Sequence, residues 1–384
     1  KYTGYDTAYW GLPKYYYGAG AVYNLGTFNM NGGTVQNNRG EYGALANSAG
    51  GVMDLQSGTV SGNAAVQKTG AGSSYDLSIT GYTEGANPAI PTDDVSVGAG
   101  CGGGVFASGG TAAKVTLGKN LSVTGNYAAQ SGGAVAVRNA NAIVKSLTEY
   151  TAITGAYQMA TTTGSAAKVR AAQPNYEGAT TVGANGVQVT VKSGAKLSDN
   201  KADAFGGGLY AAGNGSAVTV EETVDLKNNT AHAGGGLAAL RGANVTFSNE
   251  ITENSAVFGG GVYVGGYLAE WDKNQTTVTA QKSRITANRA EQAGGGVYVD
   301  CLTEESKEAL PAVPNPNPEN PGHGTDYSAD FADTNGKLIL AGATVSNNRL
   351  DTNLYGVGVF NRGDVELRAA GTLITTQPSL SYND

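Results

Sequence analysis

One pattern limits the folding choices of this chain more than any other. An aliphatic residue is followed three positions on by Asn, two further on by a small residue, and then by a glycine run that opens a short apolar strand. The fullest copies are Ile251-Thr-Glu-Asn254-Ser-Ala256-Val-Phe-Gly259-Gly-Gly-Val-Tyr-Val264 and Ile285-Thr-Ala-Asn288-Arg-Ala290-Glu-Gln-Ala-Gly294-Gly-Gly-Val-Tyr-Val299. A third runs from Leu226 through Asn229, Ala231 and Gly234 to Leu237. Self-similarity of this kind specifies a stack of units, because one unit alone cannot bury its apolar face.

The aliphatic-x-x-Asn anchors are Val35/Asn38, Val60/Asn63, Val123/Asn126, Leu197/Asn200, Leu226/Asn229, Ile251/Asn254, Ile285/Asn288 and Val345/Asn348. The shortest spacing is 25 residues, from Asn38 to Asn63 and again from Asn229 to Asn254. Upstream of the anchors lie alternating segments such as Phe28-x-Met30, Met53-x-Leu55, Val115-x-Leu117, Val245-x-Phe247 and Leu338-x-Leu340. Downstream lies a third apolar segment, for example Val262-Tyr263-Val264. Three short alternating strands in about 25 residues, rich in β-branched and aromatic side chains, describe one coil of a parallel β-helix. The expected fold is all-β, a right-handed parallel β-helix of about nine coils, roughly 40 Å long at strand spacing. Residues 1–384 form a single such domain, with 1–23 as an N-terminal cap and insertions near 66–100, 140–188 and 301–336.

The recurring residues have structural explanations. The Asn column fits turns that need left-handed backbone, or side chains that bond the backbone and one another in a ladder. The glycine runs fit tight corners with positive φ and close backbone approach. A phosphate-cradling loop would need a following helix, and none is visible.

Composition excludes other classes. The 59 glycines lack the every-third-residue spacing of collagen. A net charge of −7 and the lack of a Lys/Arg stripe argue against nucleic acid and against anionic membrane surfaces. No apolar run is long enough to span a bilayer as a helix. Cys101 and Cys301 fall about six rungs apart, roughly 29 Å at strand spacing, and read as two unpaired thiols. The chain begins with Lys1, which reads as a fragment of a longer precursor, expected to be monomeric.

Gly-Gly-Gly-Val-Tyr-Val coupled to Ile-Thr-x-Asn-x-Ala resembles repeat-rich bacterial surface proteins and adhesins of the right-handed parallel β-helix class. It is also similar to polymorphic outer-membrane proteins and autotransporter passengers, which repeat Gly-Gly-Ala-Ile/Leu/Val and Phe-x-x-Asn. Gly132-Gly-Ala-Val135 fits the first element and Gly20-Ala-Val22 part of it, while an aliphatic residue replaces Phe in the second. The resemblance implies display at a bacterial cell surface, outside the cell, with the type of envelope left open.

Interruptions of the period are the expected sites of function. The second and third insertions, and a shorter one from Gly266 to Gln275, all follow the glycine-opened strand and should emerge from one side of the stack. Tyr267 and Trp271 are the expected ligand anchors, because large aromatics dominate binding hot spots. Tyr150, Tyr157 and Tyr176 add the aromatic-plus-small chemistry of adaptable loops, although a packed flap fits them equally. The proline spacing from Pro311 to Pro321 reads as extended, loosely packed chain. Tyr2, Tyr5, Tyr9, Trp10, Tyr15, Tyr16 and Tyr17 fit a cap over the open end, or alternatively a sugar-stacking platform.

The expected partner is a host protein or a glycan, with immunoglobulin one possible protein ligand. A polysaccharide lyase or hydrolase and a passive spacer are the alternatives. Enzyme chemistry finds little support: Asp93-Asp94 lies in a polar insertion, Asp199 and Asp203 flank Asn200 without recurring one unit later, and His232 and His323 lack partners at metal-ligand spacing, His232 reading as an exposed residue of the turn before Gly234. Neither a cofactor nor a metal is expected.

Overall fold

A computed structural model provides the three-dimensional structure. It describes residues 19–47, 50–66, 68–69, 74–75, 100–108, 113–138, 186–213, 215–265, 275–300, 336–351, 356–369 and 371–375. Among the described residues the regular elements are all strands.

A nine-stranded sheet gathers the glycine-opened segments, from Val22–Asn24 to Val359–Asn361, each pairing in parallel with the next in chain order. A fifteen-stranded sheet gathers the two strands of each unit that precede the glycine run. In it Val115, Val189, Val218, Val245, Val278 and Leu338 occupy one column, register unbroken, and all are buried. A third ladder runs through Arg39–Gly40, Ala64–Ala65, Tyr127–Ala128 and Lys201–Ala202. Bridges through Thr230 carry it on to Ser255–Phe258, Arg289–Ala293 and Arg349–Leu350. The fold is therefore all-β with parallel sheets, consistent with a parallel β-solenoid and not with a closed barrel.

The alternation of each strand explains the two cores. Inward residues such as Val262, Val264, Val297 and Val299 join the main cluster, which runs from Met30 to Val345. The intervening residue of each glycine-opened strand faces the opposite side of the sheet. There Tyr210, Tyr263 and Tyr298 pack with Phe205, Phe258 and Ala293, residues that precede the glycine runs, in a second buried layer. Tyr263 and Tyr298 stack with centroids 5.5 Å apart, and Phe258 meets Tyr298 edge-on at 5.6 Å. The nine-stranded sheet is thus covered on both faces.

Three findings differ from the sequence reading. In the first three units the two preceding strands run on as one, Thr27–Gln36, Val52–Ser61 and Lys114–Thr124, with register shifts at the bend. Gly58, at φ 120°, lets one of these strands bend without a separate turn. The left-handed residue of each anchor is not the ladder Asn but its predecessor. Asn37, Gly62, Gly125, Asp199, Asn228, Glu253, Ala287 and Asn347 all have φ between 53° and 63°. Finally, His232 is not an exposed turn residue; it is buried, with its ring 5.9 Å from that of Phe258.

The glycine runs combine two demands. Gly259 has φ 63°, which an L side chain adopts at a cost. Gly260 has no such φ, but a Cβ there would lie 2.2 Å from the carbonyl oxygen of Arg289 in the neighbouring unit. The corner is tight because parallel backbones meet there without side chains between them.

Candidate functional site

Each of the eight ladder Asn side chains is held between units. Asn254 Oδ1 accepts from the backbone N–H and from Nδ2 of Asn229, and Asn254 Nδ2 donates to the carbonyl of Leu226 at 3.1 Å. The same set links Asn38 to Asn63, Asn63 to Asn126, Asn126 to Asn200, Asn200 to Asn229, Asn254 to Asn288 and Asn288 to Asn348. These amides satisfy one another inside the stack, so they hold the scaffold and offer little to a ligand.

The candidate site lies where the chain leaves the nine-stranded sheet. Segments 139–185, 266–274 and 301–335 begin directly after Arg138, Gly265 and Asp300, next to the ends of strands Val135–Arg138, Val262–Val264 and Val297–Val299. Tyr267, Trp271, Tyr150, Tyr157 and Tyr176 fall in these segments and lie outside the described residues, as do Asp93, Asp94, Cys301, His323 and the aromatic residues 2–17. Segment 67–99 instead follows the third ladder, after Val66, and contains a short antiparallel pair, Lys68–Thr69 with Ser74–Tyr75.

The exits are built from polar side chains, buried except for the exposed Arg362. Asp300 Oδ2 accepts from the Tyr263 hydroxyl at 2.7 Å. Arg362 Nη1 lies 3.8 Å from Asp300 Oδ1 and donates to the Tyr298 hydroxyl at 3.4 Å. Burial, reinforced by the Asp300 carboxylate and by the hydrogen bond to it, pushes the Tyr263 hydroxyl well above its ordinary value. Tyr263 therefore stays neutral at ordinary pH and donates its proton to Asp300. The return of segment 301–335 is fixed at the same place, because Gly336 N donates to the Asp300 carbonyl at 2.9 Å.

At the exit of segment 139–185, Arg138 is fully buried with Nη1 3.7 Å from the Cys101 thiol. That thiol is itself buried and lies 3.7 Å from Gln130 Oε1. Asp203, flagged above as an acid beside Asn200, accepts from the Tyr127 hydroxyl at 2.5 Å. Its carboxylate is engaged by a neighbouring unit.

This arrangement fixes loop ends. Asp300 already faces a phenol and a guanidinium, and among the described residues no group of three or more His, Cys, Asp or Glu could hold a metal ion. Sequence reasoning missed the Tyr263–Asp300–Arg362 network, whose members are far apart in the chain. The available signal was positional: Asp300 and Arg362 each come directly after a glycine-opened strand, at the point of departure from the sheet.

Comparison with protein-family models, curated proteins and solved structures gave no match.

Proposed function

We propose that the chain is a right-handed parallel β-helix of about nine coils of about 25 residues, serving as an adhesin-like binding module at a bacterial cell surface. It engages a host protein or a glycan through inserted loops and the lateral face beside them. The supporting observation is that two long segments and a shorter one leave the same nine-stranded sheet, after Arg138, Asp300 and Gly265 respectively, beside buried polar contacts at Arg138 and Asp300. A rigid ladder that concentrates inserted chain on one side suits recognition, because binding residues gather on loops held by a scaffold. Tyr267 and Trp271 are the proposed anchors, with Tyr150, Tyr157 and Tyr176 of segment 139–185 as further contacts.

The test is a glycan array together with capture of host surface and secreted proteins, immunoglobulin included. The intact chain is compared with a Tyr267→Ala/Trp271→Ala variant. Specific capture that the double substitution weakens at least about tenfold supports the assignment, since a buried aromatic anchor is worth about 2 kcal/mol or more. Capture that survives in full removes these two anchors. Absence of any ligand leaves the passive spacer, and turnover of acidic polysaccharides by the purified protein would replace binding with catalysis.

A further inference from the structure

The bend between the two strands that each unit gives to the fifteen-stranded sheet carries one interior column. The pairing of Lys196, Asp225, Glu250, Arg284 and Thr344 stacks the residues just ahead of them: Ala195, Val224, Asn249, Ser283 and Ala343. Ala195, Val224 and Ala343 belong to the main apolar core. Asn249 and Ser283 are only 1% and 2% exposed, so two polar side chains stand where the rest of the column is apolar.

Asn249 is engaged through its nitrogen. Nδ2 donates to the carbonyls of Val224 at 3.1 Å and Glu250 at 2.9 Å. These two acceptors fix the amide, because the opposite orientation would set Oδ1 against two carbonyl oxygens. Oδ1 of Asn249 and Oγ of Ser283 are both buried and have no hydrogen-bond partner among the described residues. Other buried hydroxyls bond directly. Ser216 Oγ donates to the Ala212 carbonyl at 2.6 Å, and Thr276 Oγ1 accepts from the Gly242 N–H at 2.9 Å.

The Asn ladder shows why Asn249 and Ser283 do not meet. Asn254 and Asn288 join across one rung at 3.0 Å, with amides of equal length. The serine side chain is one bond shorter, so its hydroxyl stops short of Asn249 Oδ1 in the rung before it. A buried oxygen left in that state is costly, and such groups in folded proteins are satisfied by side chains, backbone or internal water.

We propose that one water molecule is bound inside the stack between Asn249 Oδ1 and Ser283 Oγ. It donates to Oδ1 and accepts from the Ser283 hydroxyl, which satisfies both groups. Two bonds of about 2.8 Å reach oxygens up to about 5.6 Å apart, which covers the step of about 4.8 Å between rungs. Ser283 and the next residue of the column, Ala343, are both smaller than Val224, which leaves room beside them. A divalent cation would need more oxygen ligands than these two, and an anion would be repelled by Oδ1. The water joins consecutive units at this bend, as the Asn ladder joins them at the next, and it is independent of any ligand bound at the insertions.

The test is a crystal structure of the full chain at a resolution that shows ordered water, together with urea unfolding of wild type and Ser283→Ala. Wild type should show a density peak within hydrogen-bond distance of both Asn249 Oδ1 and Ser283 Oγ. Ser283→Ala carries the residue of the next rung, Ala343, and should fold normally. Its unfolding midpoint should nevertheless fall, because the water loses a partner while Oδ1 stays buried. The proposal is overturned if no peak lies between the two atoms. It is also overturned if Ser283→Ala raises the midpoint or leaves it unchanged, since removing a hydroxyl that binds nothing relieves an unsatisfied group.

Discussion

Asn254 Oδ1 accepts two hydrogen bonds from Asn229, one from its backbone N–H at 2.9 Å and one from Nδ2 at 3.1 Å. One side chain therefore satisfies two donors of the unit before it, while its own Nδ2 satisfies the Leu226 carbonyl. Asn254→Ala leaves all three groups buried without this partner. At about 1–3 kcal/mol for each unsatisfied group, partly relieved by relaxation, the expected loss is about 3 kcal/mol in urea unfolding. Asn38→Ala, at the half-buried end of the same ladder, removes donors only and should cost less than about 1 kcal/mol. Equal losses at the two positions would mean that the ladder does not carry this energy.

The two kinds of glycine separate by substitution. Gly260→Ala places a methyl 2.2 Å from the Arg289 carbonyl oxygen, which belongs to ladder backbone and cannot move alone. The expected cost is about 3 kcal/mol or more, measured as a shift in the unfolding midpoint. Gly125→Ala meets nothing within 4 Å and suffers only from its φ of 63°. Its expected cost is about 1 kcal/mol.

Alkaline stability reports on the insertion exits. The Tyr263 hydroxyl is raised above its ordinary value of 10.0, by burial first and then by Asp300. A group raised in the folded state contributes fully below its unfolded value and loses that contribution as pH rises through the folded value. Unfolding free energy should therefore fall above about pH 10. In Tyr263→Phe that part of the fall should vanish, which a series of denaturant titrations from neutral to alkaline pH would show. The difference between the two proteins is the readout.

Segment 301–335 should be dispensable for folding. Its ends already touch, through the bond from Gly336 N to the Asp300 carbonyl. Joining Asp300 to Gly336 by a Gly/Ser linker of about four residues shortens the closed loop about ninefold and should add up to about 2 kcal/mol through reduced closure entropy. A strongly destabilised deletion variant would show that this segment packs into the core.

Much of the scaffold was legible because stacking turns local choices into columns. The alternation at Val115-x-Leu117 or Val245-x-Phe247 specifies which residues point inward, and every unit repeats it. The outer layer was not legible in the same way. In Val262-Tyr263-Val264 the alternation places Tyr263 on the far face, where the simple expectation is solvent. Only the backbone path, which folds Phe258 and Ala293 onto that face, shows that it is covered. Of the two readings of the Asn column, the side-chain ladder is the one the hydrogen bonds bear out, and the left-handed backbone sits one residue earlier. Gly62 and Gly125, just ahead of Asn63 and Asn126, were the clue. The exit network was hidden because Tyr263, Asp300 and Arg362 come from three different units.

The central claim is that these units stack at strand spacing along one axis. Thr27, Val52, Lys114, Gln188, Ala217, Asn244, Thr277, Lys337 and Asp364 form one outward column of the fifteen-stranded sheet. Spin labels at Thr27 paired in turn with Ala217, Thr277 and Asp364, in a background with both cysteines replaced by Ser, measure that axis by pulsed electron–electron resonance. The account predicts single distances near ~19, ~29 and ~38 Å, rising linearly with the number of rungs between the labels. Distances that fail to rise with rung number, or that place Asp364 nearer to Thr27 than Ala217 is, would contradict it.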